Sequence, residues 1–153
     1  MHLLFTDASV DPRLGVGFGA YLYLPHENLS IVPDIQVKRF EATSSTKLEL
    51  QTLLWALDQI SVDAVTVYTD SQNIISLPQR RSKLEKAKYL TNSSKLLKNH
   101  LLYKEFYRCY DSRQLQLVKI KGHTAQKDEL ARIFAQVDKT SRQALRRYLC
   151  EKT

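Results

Sequence analysis

Lys47-Leu48-Glu49-Leu50-Gln51-Thr52-Leu53-Leu54-Trp55-Ala56-Leu57-Asp58-Gln59-Ile60 is where the chain changes period. Leu50, Leu53, Leu54, Leu57 and Ile60 recur at helical spacing and form one apolar stripe. Ser44, Ser45 and Thr46 precede it, and any of the three can supply a capping hydroxyl. Before this segment the pattern is that of strands. Residues 3–6 read as the first, and Asp11-Pro12 with Gly15 marks a turn. Residues 16–24 alternate Gly or Ala with larger side chains, and Gly17 and Gly19 would let another segment approach closely. Residues 30–39 read as a third strand, with Pro33 at a bulge or edge. Three strands joined by short turns predict an antiparallel meander.

After the helix, Ser61 to Asp63 breaks the pattern and residues 64–69 form a fourth strand. Ser71 starts a short helix that is expected to stop near Pro78. Residues 82–90 and 94–110 read as helical, separated by Thr91-Asn92-Ser93. Residues 114–120 alternate as a fifth strand, and a last helix runs from after 128 to about 149. A meander followed by alternating helices and strands predicts an α/β fold, a mixed five-stranded sheet flanked by helices. The 153 residues carry no linker, repeat or low-complexity tract, so one domain over 1–153 is expected.

No apolar run is long enough to span a bilayer, and the first residues lack the basic and apolar regions of a signal peptide. Cys109 and Cys150 are too few for a disulfide scaffold and stand in no metal-ligand spacing. Free thiols imply a reducing compartment, so a cytoplasmic monomer that does not contact membrane is expected. The net charge of +7 is concentrated. Residues 79–108 hold nine Lys/Arg, among them Arg80, Arg81 and Lys83, against two acids, and the remainder balances. A basic stretch of this kind suits a polyanion such as nucleic acid, or serves as a solvated face. Tyr89, Tyr103, Phe106, Tyr107 and Tyr110 in or beside it fall at helical spacing, which favours core packing over base stacking; Trp55 reads as core too.

Four carboxylates close apolar segments or sit early in helical ones: Asp7, Glu49, Asp70 and Asp138. An acid at the end of a buried strand needs a partner, because a lone buried carboxylate is costly. If the fold gathers the four, their repulsion calls for a divalent cation held by oxygen ligands, and two such ions can cut a phosphodiester. Asp11, Asp34, Asp58, Asp63, Asp111 and Glu129 have no motif around them and read as solvated surface.

At these positions the chain resembles type 1 ribonucleases H. Phe5-Thr6-Asp7-Ala8-Ser9 is similar to that family's first-strand motif, Lys47-Leu48-Glu49-Leu50 to the start of its first helix, and Val67-Tyr68-Thr69-Asp70-Ser71 to its fourth strand. Lys119-Ile120-Lys121-Gly122-His123 resembles its histidine loop and Val137-Asp138-Lys139 the start of its last helix. The five matches lie in the family's order over nearly the whole chain. The resemblance implies an RNase H-like fold and Mg²⁺- or Mn²⁺-dependent endonucleolytic cleavage of the RNA strand of an RNA–DNA hybrid, leaving 5′-phosphate and 3′-hydroxyl ends. It implies two ions with substrate bound, Asp7, Glu49, Asp70 and Asp138 as catalytic acids and metal ligands, Asp7 as the bridging ligand at a strand end, and His123 as a catalytic proton carrier or aid to product release. Ala8, Ser9, Ser45, Thr46 and Gln72 would read the substrate, and the 79–108 stretch resembles a basic protrusion that grips DNA through Arg80, Arg81 and Lys83.

Three features depart from the family pattern. Ser45 and Thr46 stand where a pair of asparagines is usual, and Phe134 stands where an Asn precedes the last Asp. Fifteen residues separate His123 from Asp138, which is longer than usual. Asp128, in Asp128-Glu129-Leu130-Ala131-Arg132, is therefore a rival fourth acid. Asp138 is preferred, because five residues after His123 leave little room for a loop and a helix start, and Val137, Ala144, Leu145 and Leu149 give an inner face around Asp138. A catalytically weak nucleic-acid-binding module of the same fold is the second reading. A proofreading-type exonuclease of the same superfamily is the third, disfavoured because Ser9 stands where such enzymes carry a second acid.

Overall fold

The computed structural model describes residues 2–25, 34–120 and 128–152. Five strands form one sheet: β1 (Leu3–Asp11), β2 (Val16–Leu24), β3 (Gln36–Phe40), β4 (Ala64–Thr69) and β5 (Gln114–Lys119). Their order is β3-β2-β1-β4-β5. The first three pair antiparallel, whereas β1–β4 and β4–β5 pair parallel. The mixed α/β sheet expected from the sequence, with the helices α1 (Ser45–Gln59), α2 (Gln72–Lys86), α3 (His100–Ser112) and α4 (Glu129–Glu151), is thus present.

The strand period of two divides β1 between two cores. Leu4 packs with Leu50, Leu53, Val67, Ile74 and Phe106, on the face covered by α1, α2 and α3. Leu3 and Phe5 pack with Leu22, Ile133, Phe134 and Val137, on the face covered by α4. Odd-numbered residues of β1 therefore look toward α4, which fixes where Asp7 and Ser9 point. Gly17 and Gly19 allow the close approach that their spacing suggests. A Cβ on Gly17 would collide with the Leu48 side chain, and one on Gly19 with Thr52, so α1 sits nearly against the β2 backbone.

Several sequence expectations need correction. β1 runs four residues beyond Asp7, which lies mid-strand and not at a strand end, because β2 pairs with it out to Asp11–Val16. The third strand is short, Gln36–Phe40; Pro33 lies outside the described residues. α2 does not stop at Pro78 but continues to Lys86, since buried Leu77 and Leu84 hold its two halves on the core. Residues 87–99 are not helical. Lys88, Tyr89 and Ser94 adopt φ of 53°, 58° and 61°, Leu90 bridges Leu96, and Thr91 Oγ1 accepts from the Ser93 and Lys95 amides. Tyr89, Tyr103, Phe106 and Tyr107 are buried and Tyr110 packs against them, as core aromatics should. Trp55 is half-buried, edge-on to Tyr21 and Phe40. No helix among the described residues is long and apolar enough to cross a membrane.

Candidate active site

Phe5 pairs with Tyr68 across the parallel β1–β4 ladder. Asp7 and Asp70 each lie two residues further on, so parallel register alone sets them side by side. Asp7 faces α4, where Val137 and Phe134 anchor the helix and present Asp138 toward the sheet. Asp7 and Asp138 are hydrogen-bonded to each other. A hydrogen bond between two carboxyls needs a proton on one of them, and burial favours Asp7 as its holder. Accordingly the Asp7 carboxyl is pushed up to about 9, first by burial, then by the Asp138 hydrogen bond and by the charge of Asp70.

Glu49 approaches from the opposite face, in the second turn of α1. Its carboxyl is also held above the usual range, chiefly by burial and further by the charge of Asp70, while hydrogen bonds from Ser71 and Ser45 oppose the shift. Ser71 caps α2 by accepting from the Ile74 amide at 3.2 Å, and its hydroxyl donates to Glu49. Asp70 acts electrostatically on both Asp7 and Glu49 and so lies near each. The structure thus brings together all four acids singled out in the sequence. The two rivals on α4 have different surroundings. Asp128 is the N-cap, its Oδ1 accepting from the Ala131 amide at 2.6 Å, and is committed to the helix end. Asp138 is more than two turns inside α4 and not at its start, because the helix begins at Glu129.

Asp138 has a second partner, Arg142, whose Nη2 lies 3.0 Å from Oδ2 one helical turn on. Below it Ser141, fully buried, donates to the Asp138 carbonyl at 2.9 Å and meets the Ser9 hydroxyl at 3.0 Å. Ser9 is therefore tied to α4 through its side chain. Ala8 offers its backbone amide to Asp7. Ser45 donates to Glu49 at 3.5 Å, Thr46 is exposed, and Gln72 accepts from Lys119 Nζ at 2.8 Å. Phe134 is buried against Leu22 and Phe5, so the departure from Asn at that position serves the core. His123 lies outside the described residues. Ser141 and Arg142 were not singled out from sequence, and Ser71 was read only as a helix start within its motif. The i,i+4 spacing of Asp138 and Arg142 was the one local signal available for them.

The basic stretch is less available than its composition suggests. Arg81 makes a bidentate pair with Asp111, at 2.5 and 2.7 Å, bonds Glu85 at 3.1 Å and lies over the Tyr107 ring. Asp111 is exposed, as expected of a surface acid, and is in addition a partner of α2. Asp11, also expected at the surface, is buried and accepts from the amides of Arg13 and Leu14, which hold its carboxyl below the usual range. Arg80 donates to Asn73 Oδ1 at 2.8 Å and lies over Tyr103. Lys83 is exposed beside a cavity of about 580 Å³ formed with Leu84, Leu90 and Leu97.

The acids offer oxygen ligands only, the set preferred by Mg²⁺ or Mn²⁺. Among the described residues no group of three or more His, Cys, Asp or Glu side chains is placed to hold a metal ion. Asp138 is paired with Arg142, and the raised Asp7 pKa favours its protonated form beside Asp138.

A sheet of order β3-β2-β1-β4-β5 with clustered acids on β1, α1, the end of β4 and α4 defines a nuclease-like class of fold. The family model "RNase H" matches residues 1–146, and the chain belongs to the RNase H family. The foamy viral protease-reverse transcriptase, solved in complex with dsDNA, is similar in structure, with a TM-score of 0.65 and 14% identity over 92% of this chain and 91% of that one. No curated protein sequence matches this chain.

Proposed function

We propose that this protein is a ribonuclease H that cleaves the RNA strand of RNA–DNA hybrids with divalent cations bound at Asp7, Glu49, Asp70 and Asp138. The observation that carries the reading is the Asp7–Asp138 hydrogen bond, which unites acids 131 positions apart in a chain of this family. When bound, the cations supply an activated water nucleophile and stabilise the leaving 3′-oxygen. The protein's own part is to aim the ligands. Ser71 and Ser45 orient Glu49. Ser141 fixes the turn of α4 beneath Asp138. Partial burial of Asp7 strengthens the charges around it. His123, in the stretch Gly122-His123-Thr124, would carry a proton or assist product release.

Discrimination of RNA from DNA would rest on the 2′-hydroxyls in the wide minor groove of the hybrid. Ala8 by its backbone, and Ser45, Thr46 and Gln72 by exposed side chains, stand beside the acids and suit that task. Ser9 would contribute its backbone, since its hydroxyl is engaged by Ser141. Lys83, and the exposed lysines around it, would meet phosphates of the DNA strand, with Arg80 held ready by Asn73. We place the protein as a cytoplasmic monomer of one domain, consistent with its two free cysteines.

The test incubates a labelled hybrid beside single-stranded RNA, duplex RNA and duplex DNA, with and without Mg²⁺. Cleavage confined to the hybrid and abolished by a chelator is expected, and Asp70→Asn should lose about a thousandfold in turnover. Equal cutting of all four substrates, or cutting in chelator, would refute the reading.

A further inference from the structure

Arg142 has no role in the reading above, yet it contacts the cluster directly. Its guanidinium is half-exposed and reaches Asp138 Oδ2 at 3.0 Å, while the Asp138 side chain remains only a quarter exposed. The pair spans one helical turn of α4, so the arginine approaches along the helix from its solvent side. Both positions are fixed from below. Val137 is fully buried, and Ser141 is locked between Ser9 and the Asp138 carbonyl. Asp138 therefore cannot leave the cluster, whereas Arg142 can rotate away into solvent.

Arginine stays charged at any pH the protein meets, so this contact is a permanent positive charge on one ligand oxygen. A divalent cation and a guanidinium compete for the same carboxylate. A guanidinium released one turn from the reacting centre is also well shaped to take a phosphate in a two-pronged contact.

We propose that Arg142 is a resident counter-ion: it occupies Asp138 until a divalent cation displaces it, and it then passes to a backbone phosphate of the bound nucleic acid. Arg142 is a positioning residue in this scheme, acting through Asp138. The inference rests on the cation-binding reading above. It adds that cation and substrate binding are coupled through one side chain.

Mn²⁺ alone, titrated into the full chain without nucleic acid and followed by loss of the free-ion paramagnetic resonance signal, tests the first half. Arg142→Gln should bind Mn²⁺ more tightly, by roughly two- to fivefold, the range expected for a partly exposed ion pair. In an Asp138→Asn background the same substitution should change nothing, which separates displacement from a general loosening of α4. For the second half, hybrid affinity measured in Mn²⁺ with the Asp70→Asn chain should fall on Arg142→Gln and recover in part with Arg142→Lys. Mn²⁺ affinity unchanged or weakened in Arg142→Gln, or hybrid affinity unaffected by it, would overturn the proposal. A wild-type chain that takes up no Mn²⁺ would remove the cation-binding reading itself and this inference with it.

Discussion

The hydroxyls of Ser9 and Ser141 lie 3.0 Å apart across 132 positions of sequence. Ser141 has one proton and spends it on the Asp138 carbonyl, so Ser9 is the donor in this contact. The chain Ser9–Ser141–Asp138 fastens α4 to β1 directly below the acidic cluster. Ser141 is fully buried, which makes loss of its partners costly.

The first prediction concerns this fastening. Ser9→Ala and Ser141→Ala should each lower stability to urea by about 1 kcal/mol. Their effects should not add, since both remove the same bond. A double variant whose loss equals the sum of the single losses would show that the two hydroxyls act independently.

The second follows from the proton that Asp7 holds beside Asp138. The Asp7 carboxyl is raised from 3.8 to about 9 by burial and by neighbouring acids. The folded state therefore holds a proton that the unfolded chain releases, and stability contributed by protonation is present in full below pH 3.8. It is lost progressively as pH rises toward 9. In chelator, the melting temperature should fall from mildly acidic to mildly alkaline pH, and Asp7→Asn should flatten this slope. Added Mg²⁺ should reverse it, because the cation replaces the proton. A wild-type profile as flat as that of Asp7→Asn would show that the cluster does not retain its proton.

The third tests the close approach of α1 to β2. Gly19→Ala would place a methyl group against Thr52 Oγ1 and Cγ2. Thr52 is fully buried and bonds the Leu48 carbonyl at 2.8 Å, so it has nowhere to turn. A loss of roughly 1–3 kcal/mol is expected. Thr52→Ala, introduced second, should restore part of it by clearing the space. Calorimetry that finds Gly19→Ala as stable as wild type would mean that the helix can shift outward freely.

Much of the candidate cluster was legible because strands and helix turns place side chains by simple periods. Asp7 follows an apolar run, Asp70 closes the neighbouring strand, and Glu49 sits in the early turns of α1. Asp138 was harder. The local sequence around Asp128 is the more familiar one, and the choice turned on which residues of α4 face the sheet, a property of the whole helix. What could not be read were partnerships between distant segments. Nothing near Arg81 in sequence announces Asp111, and nothing near Ser141 announces Ser9. The left-handed backbone at Lys88 and Tyr89 carries no glycine to signal it, so a turn held by Leu90 and Leu96 read as helix.

The Arg81–Asp111 partnership leads to the last prediction. Counted by charge, Arg81 belongs with Lys83 in a phosphate-gripping surface. Counted by contacts, it is a clamp between α2 and α3: both guanidinium nitrogens are on Asp111, Nε is on Glu85, and the plane lies over Tyr107. Tyr107 in turn donates to the Leu77 carbonyl at 2.7 Å, so the clamp sits on a buried aromatic that also crosses between the helices. A phosphate would have to displace two carboxylates to reach this arginine. Arg81→Ala should therefore lower the melting temperature while leaving the salt dependence of hybrid binding as in wild type. Lys83→Ala should do the opposite, leaving stability unchanged and reducing the slope of log affinity against log salt by about one. Asp111→Asn should reproduce the stability loss of Arg81→Ala, and because it removes an acid it should strengthen hybrid binding if it affects it at all. A reduced salt slope in Arg81→Ala with stability intact would return Arg81 to the nucleic-acid surface and leave the two helices to be held by their apolar contacts alone.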